Sequence, residues 1–306
     1  MKRKSKDSLK FYSIICLEFL LLPFLMLKEI LKKWVSNLNI NTNTGKERLP
    51  VTSDTIDVLV HEWGGYNLNR VKKHKSGREF NCGLKPWLEF LKNYTGKHRL
   101  NITLSVSEIE KFKHLNEITP YVNSVIPVSN SGYDFSGYSS FIENIKDSEN
   151  KYIILSNSSV NTNCENFIDG YIDYMEKNPD VAMMGTSYCT KCYQSLIRNN
   201  FRPHIQSFFI LTTIDVMKEI VRNNSQLFPG KNITHKLLLI RKGEIRMSEI
   251  ALKLGYSLAI VLENGSVFKY KKKNKWDNCY SQWSYLKKGD MRFNVSFPNK
   301  INPISL

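Results

Sequence analysis

From residue 51 onward, short apolar runs alternate with stretches of helical period, and this alternation limits the fold more than any other feature. Ile56, Val58 and Val60 form a short apolar run that ends at His61, followed by Gly64 and Gly65. That pattern is a strand and a turn. Phe80, Leu84, Trp87, Leu88 and Leu91 then share one helical face. Leu100, Ile102, Leu104 and Val106 alternate with polar residues, as strand residues do. The run VNSVIPV (122–128) reads as a short strand, and Phe135, Tyr138, Ile142 and Ile145 mark a helix. YIILSN (152–157) is a compact strand, and Ile168, Tyr171, Ile172 and Met175 mark the next helix. VAMMGTS and SFFILT are further strand candidates. Thr213 is placed to cap a helix running through Val221. Met247, Ile250, Ala251 and Leu254 give a last helix, with Gly255 suited to its C′ position, and SLAIVL (257–262) follows as a strand.

Strand–helix alternation over about 200 residues implies an α/β domain, a mostly parallel sheet with helices on both faces. Ligands of such sheets bind beyond the carboxyl ends of the strands. The polar residues expected at that edge are His61 and Glu62, Ser129 and Asn130, the run from Ser156 to Ser159, and Thr212. No GxGxxG and no P-loop occurs, which argues against a dinucleotide enzyme or a kinase of standard type.

The flanks differ in character. Phe11 to Leu27 is almost wholly apolar, interrupted by Glu18 and Pro23 and bordered by Lys6, Lys10, Lys28, Lys32 and Lys33. The run is short of the roughly 20 residues a spanning helix needs, and no small-residue cleavage site follows it. A basic, hydrophobic membrane-anchor helix over residues 1–35, lying at the interface, is therefore expected. With it comes a membrane-associated location and a catalytic domain facing the cytoplasm. Residues 36–50 read as a polar linker, 51–265 as the α/β domain, and 266–306 as a basic, aromatic tail. The net charge of +16 calls for an anionic partner. Trp276, Tyr280, Trp283 and Tyr285 in the tail could stack on bases. No RNA-binding motif accompanies them, so nucleic acid is a weak candidate. Cys189 and Cys192 have C-x-x-C spacing with no second pair nearby, which does not make a tetrahedral zinc site.

Three segments together carry a resemblance. The run Ser131-Gly132-Tyr133-Asp134-Phe135-Ser136-Gly137-Tyr138 precedes a strand that ends Asn157-Ser158-Ser159-Val160, and Pro203-His204-Ile205-Gln206-Ser207-Phe208-Phe209 comes later. Their order and spacing resemble the rhamnan synthesis protein F family, which is glycosyltransferase-like and related to the GT-A nucleotide-sugar fold. The resemblance spans about residues 55–262. It implies transfer of a sugar from a nucleotide-diphosphate donor to a glycan or lipid-linked acceptor in polysaccharide synthesis. One departure stands out: the family carries an aspartate where this chain has Ser158. GT-A enzymes use a carboxylate there to hold Mg²⁺ or Mn²⁺ on the donor diphosphate, and a serine is a poor substitute. Arg70, Lys72 and Lys73 are candidates to neutralise the diphosphate instead.

The implied roles divide the site. His61, Asp134, Asn157, Ser158 and Ser159 are the donor-side candidates. His204, Gln206 and Ser207 are the acceptor-side candidates. A base must take the acceptor hydroxyl proton in an inverting enzyme. Glu244, at the first turn of the last helix, is the first choice. Glu249, opposite that helix's apolar stripe, is the second, and His235 is a weaker one. A non-catalytic scaffold that binds glycan or nucleotide is the alternative function. The whole reading requires Asp134, the 157–159 tip and the 204–207 segment to share one pocket.

Overall fold

In the computed structural model, residues 2–35, 54–73, 77–187, 195–197, 201–271 and 299–305 are described. Thr55–Trp63 forms the central strand β1, buried along most of its length because its neighbours cover both faces. A two-stranded hairpin follows, β2 (Arg70–Lys73) and β3 (Glu79–Cys82), and then helix α2 (Leu84–Lys92). The N-terminal helix that precedes them, Lys2–Val35, is α1. Next come β4 (Arg99–Ser107), the single-turn α3 (Leu115–Ile118), β5 (Ser124–Val128) and α4 (Asp134–Asn144). β6 (Tyr152–Asn157), α5 (Ile168–Lys177), β7 (Val181–Gly185), β8 (Phe209–Thr213) and α6 (Ile214–Arg222) continue the alternation. It closes with α7 (Lys236–Lys242), α8 (Glu244–Lys253), β9 (Ser257–Val261) and β10 (Val267–Lys271). The last strand falls in the stretch read as the tail.

The sheet order is β10-β9-β7-β8-β6-β1-β4-β5. β1, β4, β5 and β6 run parallel, as do β7 and β9, while β8 is antiparallel to β6 and β7, and β10 to β9. This is a mostly parallel mixed sheet flanked by helices. Alternation along β1 builds two cores. Val58 and Val60 pack with Trp87, Leu88 and Tyr171 on one face, and Leu59 packs with Phe135, Tyr138, Met217 and Ile250 on the other. Asp57 interrupts this apolar strand. It is accommodated by neutral donors: Asn101 Nδ2 at 2.7 Å, Ser148 Oγ at 2.8 Å and Asn150 Nδ2 at 2.9 Å.

The expected membrane anchor is corrected. α1 runs unbroken through Pro23, but no helix among the described residues is long and apolar enough to cross a membrane. The expectation of a membrane-associated location falls with it. The physical reason lies in two acids of the segment, Glu18 and Asp7. Buried Glu18 accepts from the Leu196 amide at 2.6 Å and from Arg241 Nη1 at 3.1 Å. Asp7 accepts from the Thr234 amide and hydroxyl, each at 2.8 Å. Phe11 stacks on His235 with ring centroids 4.2 Å apart. The helix is thus docked on the domain along α7, leaving Leu9, Phe19, Leu20 and Phe24 exposed on its outer side. The linker at 36–50, the Cys189 and Cys192 pair and the tail aromatics from Trp276 to Tyr285 lie outside the described residues.

Candidate active site

β1 ends where its side chains part to opposite faces of the sheet. His61 turns toward α4, where its Nδ1 lies 2.9 Å from Ser105 Oγ. Burial lowers its pKa to about 3, so the ring is neutral at ordinary pH. Gly137 makes this approach possible: a Cβ there would sit 2.5 Å from His61 Nδ1 and collide with Ser105 Oγ. The glycine in the Asp-Phe-Ser-Gly-Tyr run therefore sets the distance between α4 and β1.

Glu62 turns the other way, toward the β2–β3 hairpin. Its Oε1 accepts from the Trp63 amide at 2.8 Å and its Oε2 from Arg70 Nη2 at 3.4 Å. Burial raises the Glu62 carboxyl above its usual range, against the opposing pull of Arg70. The same Arg70 nitrogen reaches the Ser158 carbonyl at 3.0 Å and bonds the Ser158 hydroxyl. Its guanidinium lies 4.2 Å from the centre of the Tyr66 ring. A cationic side chain thus occupies the oxygens of the tip where the resembling family carries a metal-binding carboxylate. Ser158 and its surroundings do not fit a divalent ion: the available oxygens already bond a guanidinium, and the nearby carboxylate pairs with it. Among the described residues no group of three His, Cys, Asp or Glu side chains is gathered that could hold a metal.

The 157–159 tip is locked by its own side chains. Asn157 Oδ1 accepts from the Ser159 amide at 3.0 Å and from the Ser159 hydroxyl. Its Nδ2 donates to Asp134 Oδ2 at 3.1 Å. From behind, Asn299 Nδ2 donates to the Ser159 carbonyl at 2.9 Å, so the chain's last segment braces the tip.

Asp134 opens α4, held there by Tyr133 at φ 52° and ψ −133°. A tyrosine in this region costs on the order of 1–3 kcal/mol, a strain that the surrounding contacts must offset. Ser207 Oγ lies 2.9 Å from Asp134 Oδ2 and 2.9 Å from Glu244 Oε1. Burial, and then the Glu244 charge, push the Asp134 carboxyl up to about 6. Ser207 is itself fixed, because its carbonyl accepts from the buried Tyr138 hydroxyl at 2.6 Å. Glu244 reaches this point because Gly243 lets α7 turn into α8 tightly; a Cβ there would meet Phe135 at 2.7 Å and the Leu239 carbonyl at 2.8 Å.

His204 stands behind Glu244. Its Nδ1 donates to the Arg202 carbonyl at 2.6 Å, since a carbonyl only accepts. Nε2 then accepts from the Gln206 amide at 3.0 Å and lies 3.5 Å from Glu244 Oε2. These contacts gather around a cleft of about 550 Å³, within the usual range for ligand sites. His61, Asp134, Asn157, Ser158, Ser159, Gln206, Ser207 and Glu244 all line it. His204 is not among the lining residues and is nearly inaccessible. Glu249 is elsewhere: it pairs with Arg202 and faces a second cavity. His235 caps α7 by accepting from the Leu238 amide at 3.4 Å. Of the three basic candidates, Arg70 and Lys72 line the cleft and Lys73 does not. Trp63, Tyr66, Lys236 and Asn299 join the lining without having been singled out in the sequence. Glu62 and Asn130, which also line it, were expected at the polar ends of strands, and Tyr133 lies in the run from Ser131 to Tyr138.

No family model matches this chain, and no curated protein does. Among solved structures it is similar to the mannosyltransferase PcManGT from Pyrobaculum calidifontis, a complex with GDP-Man and Mn²⁺. That match has 9% identity and a TM-score of 0.37, over 76% of this chain and 60% of the other. It is also similar to HddC from Yersinia pseudotuberculosis, at 18% identity and a TM-score of 0.28, over 52% of this chain and 77% of the other. The chain thus spans about three-fifths of the mannosyltransferase's length. Both TM-scores lie below 0.5, so neither likeness decides what this chain binds.

Proposed function

We propose that this protein is a glycosyltransferase of the rhamnan synthesis protein F type, moving a sugar from a nucleotide-diphosphate donor to a glycan or lipid-linked acceptor. The observation that carries the reading is the convergence of Asp134, Asn157, Ser158, Ser159, Ser207 and Glu244 on one cleft large enough for a sugar diphosphate. The resembling sequence segments supply all of these except Glu244, from three separate stretches of the chain.

The roles follow from position and chemistry. Arg70, bonded to the Ser158 hydroxyl and carbonyl, sits where diphosphate charge needs a cation. Lys72 and Lys236 add positive charge to the same walls. Arg70 takes the electrostatic task otherwise given to Mg²⁺ or Mn²⁺, and transfer proceeds without dependence on either ion. Asn157 and Asp134 offer an amide and a carboxyl to donor hydroxyls. Glu244 serves as general base. The acceptor oxygen attacks the anomeric carbon as its proton passes to the Glu244 carboxylate. The bond from that carbon to the diphosphate oxygen breaks, and its electron pair leaves with the nucleoside diphosphate. His204 positions Glu244 from behind, and Gln206 and Ser207 face the acceptor.

Calorimetric titration of the full chain with GDP-, UDP- and dTDP-sugars, with and without Mn²⁺, tests this. Binding of at least one donor in chelator, weakened about tenfold or more by Arg70→Gln, is the expected outcome. Failure of every donor to bind under both conditions would overturn it.

A further inference from the structure

A second cavity, of about 630 Å³, lies on the opposite side of α8 from the cleft. Its walls come from α1, the 224–233 loop, the end of α7 and the outer face of α8. Six of its lining side chains are cationic: Lys10, Arg202, Lys231, Arg241, Lys242 and Arg246. Glu249 is the one lining carboxylate, and it is taken by Arg202. Arg241 is taken by Glu18 of α1. Arg246 Nε donates to Asn224 Oδ1 at 3.1 Å, a neutral partner that leaves the guanidinium charge uncompensated. Among the described residues no ion pair holds Lys10, Lys231, Lys242 or Arg246.

Like charges gathered around a concave wall repel one another, and the low-dielectric protein behind them focuses the field. A fold keeps such an arrangement at a cost unless something anionic occupies it. A single carboxylate would leave most of this charge unmet, whereas a linked pair of phosphates meets several cations at once. Arginine and lysine together suit phosphate oxygens, one by its planar fork and the other as a point charge.

We infer that this cavity binds a small ligand bearing two or more linked phosphate groups, at a site separate from the central cleft. The electrostatics agree: burial, followed by the charges of Lys10, Arg241 and Arg246, holds the Lys242 ammonium below its ordinary range. A bound polyanion relieves that repulsion. The cavity also draws on α1 through Lys10, so ligand binding ties the N-terminal helix to α7 and α8. The two cavities share a wall, since α7 gives Leu239 and Ile240 to the cleft and Arg241 and Lys242 to this site.

The test is calorimetry of the full chain with inorganic diphosphate at low salt, comparing wild type, the double variant Lys231→Gln/Lys242→Gln, and Arg70→Gln. Two classes of site are expected in the wild type. The double variant should lose one class, with at least a tenfold fall in affinity, and Arg70→Gln should keep it. Glucose 1-phosphate, carrying one phosphate, should bind the same site at least tenfold more weakly than diphosphate. Nucleotide-sugar binding should change less than twofold in the double variant, which separates failure here from failure of the cleft assignment. Thermal unfolding of the double variant should show no loss of stability, because only repelling charges are removed. A diphosphate isotherm identical in wild type and double variant would overturn the inference, and so would equal affinity for the monophosphate.

Discussion

Asp134 and Glu244 compete for one hydroxyl: Ser207 Oγ stands 2.9 Å from a carboxylate oxygen of each. A serine has a single proton to donate. With both acids ionised, one of them faces the hydroxyl's lone pairs. The arrangement is satisfied when one acid carries a proton, and that is the direction in which burial and Glu244 push Asp134.

The pair has a consequence for stability. Asp134 titrates near 6 in the fold, against an ordinary value of 3.8. The folded state binds the extra proton, so this group's favourable contribution is complete below the ordinary value and is lost as pH rises through about 6. Asp134→Asn removes the titration. The variant should therefore gain stability relative to wild type between pH 4.5 and 7.5, by an amount on the order of 1–2 kcal/mol after allowing for partial exposure. Thermal or urea unfolding of both proteins across that range measures it, and a stability difference that stays flat with pH contradicts the assignment.

The two glutamates of α8 should part company in function. Glu244 lines the cleft and accepts from Ser207. Glu249 pairs with Arg202 on another face of the same helix. Glu244→Gln should lower the transfer rate by about 10²–10⁴-fold, the usual range for removing a general base, with donor affinity held within a few-fold. Glu249→Gln should leave the rate within about twofold, because an exposed ion pair contributes little. Rates of sugar transfer under saturating donor decide it; equal loss in both variants would remove Glu244 from its assigned role.

Gly137 should be intolerant of a single added methyl. A Cβ would press on His61 Nδ1 of β1 and Ser105 Oγ of β4, both buried beneath α4. Overpacking of this kind costs about 1–3 kcal/mol. Gly137→Ala should show that loss in urea unfolding, and a larger loss of donor binding than of stability, since Asp134 sits one turn earlier on the same helix. Unchanged stability would mean that α4 can move away from the sheet freely.

Much of this was legible where one residue's chemistry acts locally. Thr213 was expected to cap a helix, and its side chain accepts from the Val216 amide. Gly255 was expected past the end of α8, and its φ is 89°. β4 showed itself by apolar alternation, and β1 and β6 by short apolar runs. The hairpin did not, because Phe80 stands at helical spacing from Leu84 while belonging to β3. Only the backbone at Gly83, φ 141°, separates the two elements. Strand direction was equally hidden: SFFILT reads the same apolar run whichever way β8 points. The Arg70 contact with Ser158 joins residues 88 positions apart, and no local pattern encodes such a pairing. The sharpest misreading was Glu18, taken as a flaw in an apolar anchor when it is the residue that fastens α1 to the domain.

That residue gives the last test. Glu18 satisfies the Leu196 amide and Arg241 at once, in a buried position. Glu18→Leu improves the hydrophobicity of the N-terminal run, so a helix held by lipid would tolerate or favour it. A helix docked on the protein responds in the opposite sense, because an amide and a guanidinium lose their acceptor. Leaving such groups unpaired costs about 1–3 kcal/mol each when fully buried, less for the partly exposed Arg241. Glu18→Leu should lower the unfolding midpoint and make α1 the first site of limited proteolysis, while Glu18→Gln, which keeps one acceptor oxygen, should lose less. If Glu18→Leu matches wild type in both measurements, the docking of α1 does not depend on this carboxylate.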